Sequence, residues 1–179
     1  MPAEDITIKA LWTTNKYTIT FDTDGGTAIS PITQDYQSTI TKPSDPTKKG
    51  YSFVGWDKEI PSTMPAENIV VKALWQINQY TITFDTDGGT EVASITQDYN
   101  TDIKKPSDPT KTGSVFTGWD KEIPSKMPAE NMTIKALWGK LCTITFNTDG
   151  GTEVAPITKV VGEAITAPKN PTKEGHTFD

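Results

Sequence analysis

The feature that most constrains this chain is an internal repeat with a period of about 63 residues. Two phrases mark the period, MPAE starting at Met1, Met64 and Met127 and KALW ending at Trp12, Trp75 and Trp138. Aligned on this period, residues 17–75 and 80–138 are identical at 43 of 59 positions. Similarity of this degree at a fixed period indicates copies of one folding unit.

The period divides the chain into four parts. Residues 1–12 are the last strand of a truncated repeat, residues 17–75 and 80–138 are two complete modules, and residues 142–179 are a partial module. The connecting segments are 13–16, 76–79 and the shorter 139–141. We expect the two complete modules to be superposable units, each with its own core.

The composition and the local pattern predict a mainly β fold, or α+β at most. Glycine and proline contribute 13 residues each, which favours turns and short strands over long helices. In residues 17–21, YTITF, apolar residues alternate with threonines, as in a strand with one buried face. Asp24-Gly25-Gly26 tolerates positive φ and predicts a hairpin turn. Further strands are predicted at 27–36, 51–57 and 69–75, with an irregular connection at 42–50 and a turn at 61–67.

The predicted core of a module combines the apolar faces of these strands. Its members in the first module are Tyr17, Ile19, Phe21, Phe53, Trp56, Ile69, Val71 and Trp75. Cys142 occupies the place of Tyr17 and Tyr80, so we expect it to be a small buried apolar group. A single cysteine cannot form an intramolecular disulfide.

These residues resemble a known family. The strings FDTDGGT and KPSDPTKKGYSFVGWDKEIPSTMPAENIVVKALW are similar to the Listeria–Bacteroides repeat, or internalin B-repeat, of bacterial surface proteins. The resemblance implies tandem small β-grasp-like modules, in which the first and last strands are parallel neighbours, strung as an extended rod. Two departures are Ser114 in place of the aromatic Tyr51, and a third copy that stops before the Gly-Trp pair.

Charge and hydropathy exclude several functions. The net charge of -6 and the lack of arginine argue against nucleic-acid binding, which uses clustered cations. No apolar run reaches the roughly 18 residues needed to cross a bilayer, so we expect no membrane insertion. The N-terminus lacks the pattern of a signal peptide, and we expect any export signal or anchor to lie outside this sequence.

Asp22-Thr23-Asp24-Gly25-Gly26 resembles the start of a calcium loop. An EF-hand loop needs a bidentate glutamate at its twelfth position, which here is Thr33. The first aspartate is Asn147 in the third copy. A plain hairpin turn is therefore the preferred interpretation, and no metal or other cofactor is expected.

Other candidate sites have simpler interpretations. Trp56, Trp75 and their counterparts could stack on sugars, but tryptophans recurring on strands are more often core in a module of about 60 residues. A Lys–Asn isopeptide crosslink could use Lys9, Lys72 or Lys135 with Asn68 or Asn131, but strand alternation places Lys72 on the solvated face. The two complete repeats contain no histidine, since the sole one is His176, and no catalytic motif is present, so we expect no enzyme.

Two functions remain open. The modules are spacers of a secreted protein attached to the bacterial surface, or they are adhesive modules that bind a host protein or a glycan through multivalent sites. Residues 1–12 carry Ile6, Ile8, Ala10 and Trp12 on one face, and residues 142–179 lack a strand of that kind. We therefore expect head-to-tail self-association, in which one molecule donates its first strand to residues 142–146 of the next.

Overall fold

The computed structural model describes residues 3–179 as nine strands joined by turns and irregular segments. The strands are β1 Lys16–Asp22, β2 Ile32–Asp35, β3 Tyr51–Trp56, β4 Ile69–Ile77, β5 Gln79–Asp85, β6 Ile95–Asp98, β7 Ser114–Trp119, β8 Met132–Ile144 and β9 Ile157–Val160. Within this range there is no helix, and hence no helix that could cross a membrane. The predicted mainly β fold is confirmed.

The first module is a four-stranded sheet in the order β2-β1-β4-β3. Its central pair is parallel, with Ile19 opposite Ile69 and Phe21 opposite Val71. Strands β2 and β3 lie antiparallel on the two edges. The parallel pairing of first and last strands, which the family resemblance implied, is therefore present.

The second module repeats this arrangement in the order β6-β5-β8-β7. Strand β8 then continues past the module and pairs with β9 of the third copy, with Ile144 opposite Ile157. The connection is one residue shorter here, and Gly139 lies in it. A Cβ at Gly139 would lie 2.8 Å from Cγ1 of Val160, so the missing side chain lets β9 approach closely.

The core of each module lies on one face of its sheet. Ile19 and Val71 of the central pair are 0% exposed, because alternation turns both side chains to the same side. Met64 is 1% exposed although it lies in a predicted turn, and Ile40 and Ile60 are also buried. These three come from the irregular segments, which fold over the face of the sheet and close the core.

Several sequence predictions need correction. Tyr17, Phe53, Trp56, Ile69 and Trp75 are half-buried rather than fully buried, since a small module covers one face of its sheet incompletely. The return strand is four residues, Ile32–Asp35, and not 27–36, because the chain after the turn bonds elsewhere: the Thr27 N–H donates to the Thr47 carbonyl oxygen at 2.8 Å. Its counterpart Ile95–Asp98 has the same length with Ser94 in place of Pro31. Cys142 is exposed and not a buried apolar group, whereas its counterpart Tyr17 packs against the core cluster of the first module.

The chain divides into two compact units, one ending at Asn78 and one running from Gln79 to Asp179. Both complete modules contain their own hydrophobic cluster. Asn78 closes the first unit, since its backbone N–H donates to the Gly50 carbonyl oxygen at 2.9 Å and its Oδ1 lies 2.7 Å from the Ser52 hydroxyl.

Candidate functional site

A turn forms at Asp-Gly-Gly as the sequence predicts, but it does not join two strands directly, since β1 ends at Asp22 and β2 begins at Ile32. Asp24 and Gly25 have φ values of 49° and 82°, a left-handed conformation that aspartate tolerates and glycine adopts freely. The Asp24 backbone N–H donates to Asp22 Oδ1 at 3.0 Å, and the Gly26 N–H donates to the Thr23 carbonyl oxygen at 2.9 Å. The Asp22 carboxylate therefore holds the turn itself.

The turn forms one side of a slot that holds the last tryptophan of the module. We call this the indole slot and define it by Thr23, Gly26 and Lys48. The Trp75 Nε1–H donates to the Thr23 carbonyl oxygen at 3.1 Å, and a Cβ at Gly26 would lie 2.6 Å from Trp75 Cζ2. Lys48 Nζ lies 5.6 Å from the centre of the Trp75 ring and donates to the Asp24 carbonyl oxygen at 2.6 Å.

The second module has the same indole slot, formed by Thr86, Gly89 and Lys111. Trp138 Nε1 donates to the Thr86 carbonyl oxygen at 3.0 Å, and Lys111 Nζ lies 5.6 Å from the Trp138 ring. The glycine is required in both copies by the close approach of the indole.

Replacing this glycine should separate the effect of the indole from that of the turn. In Gly89→Ala the new Cβ would lie 2.6 Å from Trp138, and we expect a loss of about 1–3 kcal/mol in the stability of the second module. Gly151→Ala is the matched control, because its Cβ would meet similar backbone oxygens at 3.1 and 3.2 Å but no indole. Native-state hydrogen exchange in dilute solution gives both values. Equal losses would show that the turn alone requires glycine.

The carboxylate of the turn faces two lysines. In the second module, Lys135 and Lys111 Nζ lie 3.3 and 3.7 Å from the Asp87 carboxylate oxygens. The hydrogen bond and the charge of Lys135, followed by the charge of Lys111, hold the pKa of the Asp87 carboxyl below its ordinary value. The contribution of these pairs to stability is present above the ordinary pKa and is lost as the pH falls through the lowered one.

Removal of one lysine should move this titration. We expect Lys135→Met to raise the pKa of Asp87 toward its ordinary value, because the main hydrogen-bond donor and charge are lost. Carboxyl-carbon NMR titration measures the change. Lys126→Met is the control, since Lys126 pairs with Asp102 at 2.8 Å instead. An unchanged Asp87 titration in Lys135→Met would contradict this account.

The same geometry bears on the calcium hypothesis. Lys48 and Lys72 Nζ lie 3.5 and 3.7 Å from the Asp24 carboxylate, where a cation would have to bind. Among the described residues no three carboxylate, histidine or cysteine side chains form a group that could hold a metal ion.

We expect calcium to be dispensable for folding. EDTA should leave the melting temperature unchanged, because the turn is held by its own hydrogen bonds and by lysines. A bound ion would stabilise the folded chain by mass action, and its removal would lower the melting temperature. A fall of several degrees that added calcium reverses, measured by circular dichroism, would restore the metal hypothesis.

The structure places the other candidate residues as follows. The Trp56 ring packs on Phe21 and Phe53, with centroids 5.4 and 5.3 Å away. Asn68 Oδ1 accepts a hydrogen bond from the Thr18 backbone N–H at 2.8 Å. Lys72 is exposed, and its Nζ pairs with the Asp24 carboxylate of the turn. The two candidate crosslink residues therefore contact other groups and not each other. His176 lies in the third copy, with Nδ1 2.9 Å from the Glu174 carbonyl oxygen.

Comparison with known proteins identifies the repeat. A family model described as the Listeria-Bacteroides repeat domain matches residues 17–73, 80–136 and 143–179. The chain belongs to the Listeria-Bacteroides repeat family.

Relatives carry such repeats within much longer chains. A putative membrane protein of Evansella cellulosilytica is 33% identical over 97% of this chain, which covers 29% of that protein. Internalin H of Listeria monocytogenes is 38% identical over 71% of this chain, and the matched region is 26% of internalin H. This chain therefore spans less than a third of each of these relatives.

Among solved structures, one match is to Streptococcal High Identity Repeats in Tandem (SHIRT) domains 3–4 from a cell surface protein. The match covers 70% of this chain and 97% of that chain. The identity is 21% and the TM-score is 0.29.

Two positions that hold the indole slot and the core together are not indicated by the strand pattern of the sequence. Lys48 was placed in an irregular connection, but it covers the indole slot and holds the turn. Met64 was treated as part of a turn, but it is core. Both recur at the repeat period, as Lys111 and Met127, and this recurrence outside the strands was the available signal.

Proposed function

We propose that the two complete repeats are spacer modules in the stalk of a protein on the bacterial cell surface. This proposal rests on the positions at which the two copies differ in sequence. Of the positions that differ, only Val71, which is Ile134 in the second copy, is fully buried in the first module. The indole slot is kept, and the core changes only from one apolar residue to another, whereas much of the change lies at the surface.

The outer face of the sheet illustrates the difference. Val54 and Val70 are exposed there in the first module, and Thr117 and Thr133 take their places in the second. A binding site repeated for multivalency requires the same surface in each copy. A spacer requires only that each copy folds, which agrees with the pattern of change.

Adding modules tests the spacer directly. A small binding domain is fused to the C-terminal end of the chain on a bacterial surface, with and without an extra copy of residues 17–79. We expect the reach of the fused domain, measured by capture of ligands tethered at graded distances, to increase with the added module. Unchanged reach would contradict the spacer.

The second candidate is an adhesive module for a host protein or a glycan. A groove of the first module favours it, since Tyr51, Phe53 and Trp75 line an open surface beside Lys48. Aromatic rings of this kind can stack on sugars. The second copy has Ser114 in place of Tyr51, so this groove is not repeated unchanged.

Glycan arrays and binding to host cells distinguish the two candidates. We expect the chain to bind neither glycans nor host cells. Tyr51→Ser, which introduces the residue of the second copy, should leave both binding results unchanged. Binding by the chain that Tyr51→Ser removes would support the adhesive candidate and place its site in the groove.

A further inference from the structure

The first and last strands of a complete module lie side by side and run in the same direction. In the first module β1 pairs with β4 in parallel, with Ile19 opposite Ile69 and Asp22 opposite Lys72. The connection before the module enters β1 at its N-terminal end, and the connection after it leaves β4 at its C-terminal end. Tension applied through these two connections therefore pulls the two strands in opposite directions along their own length.

This direction of pull loads the hydrogen bonds between β1 and β4 in shear. The evenly spaced bonds of a parallel pair then carry the load together and must break nearly at once. In the strand order β2-β1-β4-β3, the edge strand β2 is bonded to β1 and the edge strand β3 to β4. Within the sheet of the first module, force therefore passes from one connection to the other through the β1–β4 pair.

Side-chain hydrogen bonds join the same two strands at both ends of their paired residues. On one side of these residues, the Thr18 backbone N–H donates to Asn68 Oδ1 at 2.8 Å. On the other side, the Trp75 Nε1–H donates to the Thr23 carbonyl oxygen at 3.1 Å. We call these two the closing bonds. They join residues 50 and 52 positions apart in the chain, so each one crosses between the two halves of the sheet.

The second module has the same closing bonds on its parallel pair of β5 with β8. The Thr81 backbone N–H donates to Asn131 Oδ1 at 2.8 Å, and the Trp138 Nε1–H donates to the Thr86 carbonyl oxygen at 3.0 Å. These bonds are kept although the outer face of the sheet changes from valine to threonine at two positions.

We propose that each complete module resists tension along the chain, and that its central parallel pair, with the two closing bonds, supplies this resistance. The ladder of backbone bonds resists shear, and the closing bonds keep the two strands from separating at the ends of the ladder. The proposal concerns the mechanics of a single module. It therefore does not depend on whether the repeats serve as spacers or as adhesive modules.

Single-molecule force spectroscopy of the whole chain tests this proposal with two directions of pull on the first module. Attachment through Thr14→Cys and Gln76→Cys loads β1 and β4 in shear. Attachment through Thr14→Cys and Glu67→Cys pulls on the N-terminal ends of both strands and opens the same bonds one after another. These three positions are exposed, and Cys142→Ser removes the native thiol. At equal loading rates we expect the unfolding force in shear to be higher by about twofold or more, because several bonds must break together.

Two substitutions and a matched control test the closing bonds. Asn68→Ala removes one of them, and Trp75→Phe removes the other while it keeps an aromatic ring in the indole slot. Both should lower the unfolding force in shear. Thr33→Val is the control, because it removes the 2.9 Å hydrogen bond between the Thr18 and Thr33 hydroxyl groups, which lies in the β1–β2 pair. Strands β1 and β2 stay together as the halves slide apart, so this change should leave the force in shear unchanged.

The comparison of the two directions of pull leaves both closing bonds in place, so it decides the proposal even where a variant fails to fold. A gain in contour length equal to the stretch between the attachment points identifies unfolding of the first module. Equal forces in the two directions would overturn the proposal. Forces in Asn68→Ala and Trp75→Phe no lower than in Thr33→Val would also overturn it.

Discussion

Trp56→Ala is expected to destabilise the first module by about 3 kcal/mol, at the lower end of the cost of removing a buried tryptophan. Trp56 packs on Phe21 and Phe53, with ring centroids 5.4 and 5.3 Å away, and it borders the core cluster. Its ring is half-buried, which places the loss at the lower end. Native-state hydrogen exchange at the amides of β1 and β4 measures the stability of this module alone.

The chain offers a matched control for this change. Trp12→Ala removes the same side chain from a position where it is 92% exposed, and we expect a loss below about 0.5 kcal/mol in dilute solution. A loss under about 1 kcal/mol for Trp56→Ala would mean that its ring stabilises little. The ring would then be available to a ligand, and the glycan hypothesis would gain support.

The second large effect is expected at Met64. Met64→Ala should cost about 2–5 kcal/mol, because its side chain is 1% exposed and the irregular segments around it leave a cavity when it is shortened. Two backbone bonds hold the position: the Met64 N–H donates to the Ser38 carbonyl oxygen at 2.9 Å, and the Gln37 N–H donates to the Met64 carbonyl oxygen at 3.0 Å.

Two comparisons make this measurement specific. Met64→Leu keeps the volume of the side chain and should cost less than about 1.5 kcal/mol. Val70→Ala shortens an exposed residue on the opposite face of β4 and should cost less than about 0.5 kcal/mol. If hydrogen exchange gave Met64→Ala and Val70→Ala the same small loss, the core would not extend to the segment around Met64.

Strand positions could be predicted because the signals for them are local. Alternation in YTITF places Ile19 and Phe21 on one face, and the structure buries both. The Asp-Gly-Gly turn depends on backbone preferences of three adjacent residues, and its positive φ values are present as predicted. The prediction that it joins two strands as a hairpin was wrong, because β2 begins only at Ile32. The parallel pairing of β1 with β4 required the family resemblance, since nothing within either strand specifies its partner.

The candidate site was less predictable because it joins residues far apart in the chain. Trp75 donates to Thr23 across 52 residues, and Lys48 reaches Asp24 across 24. Neither Lys48 nor the glycine beside the indole belongs to the alternation of apolar and polar residues that marks a strand. Their recurrence at the repeat period shows that the positions are related, but it does not say which residues meet.

By itself, the sequence determined that the chain is a tandem repeat, that its fold is mainly β and which face of each main strand is buried, because repetition and alternation are properties of the order of residues. Tertiary structure alone decided that Met64 is core and that Gly26 accommodates an indole. It also made β8 one continuous strand, since Gly139 lets β9 approach where the connection is a residue shorter. Each of these outcomes depends on the close approach of separate segments, and burial and steric fit are set only when those segments meet.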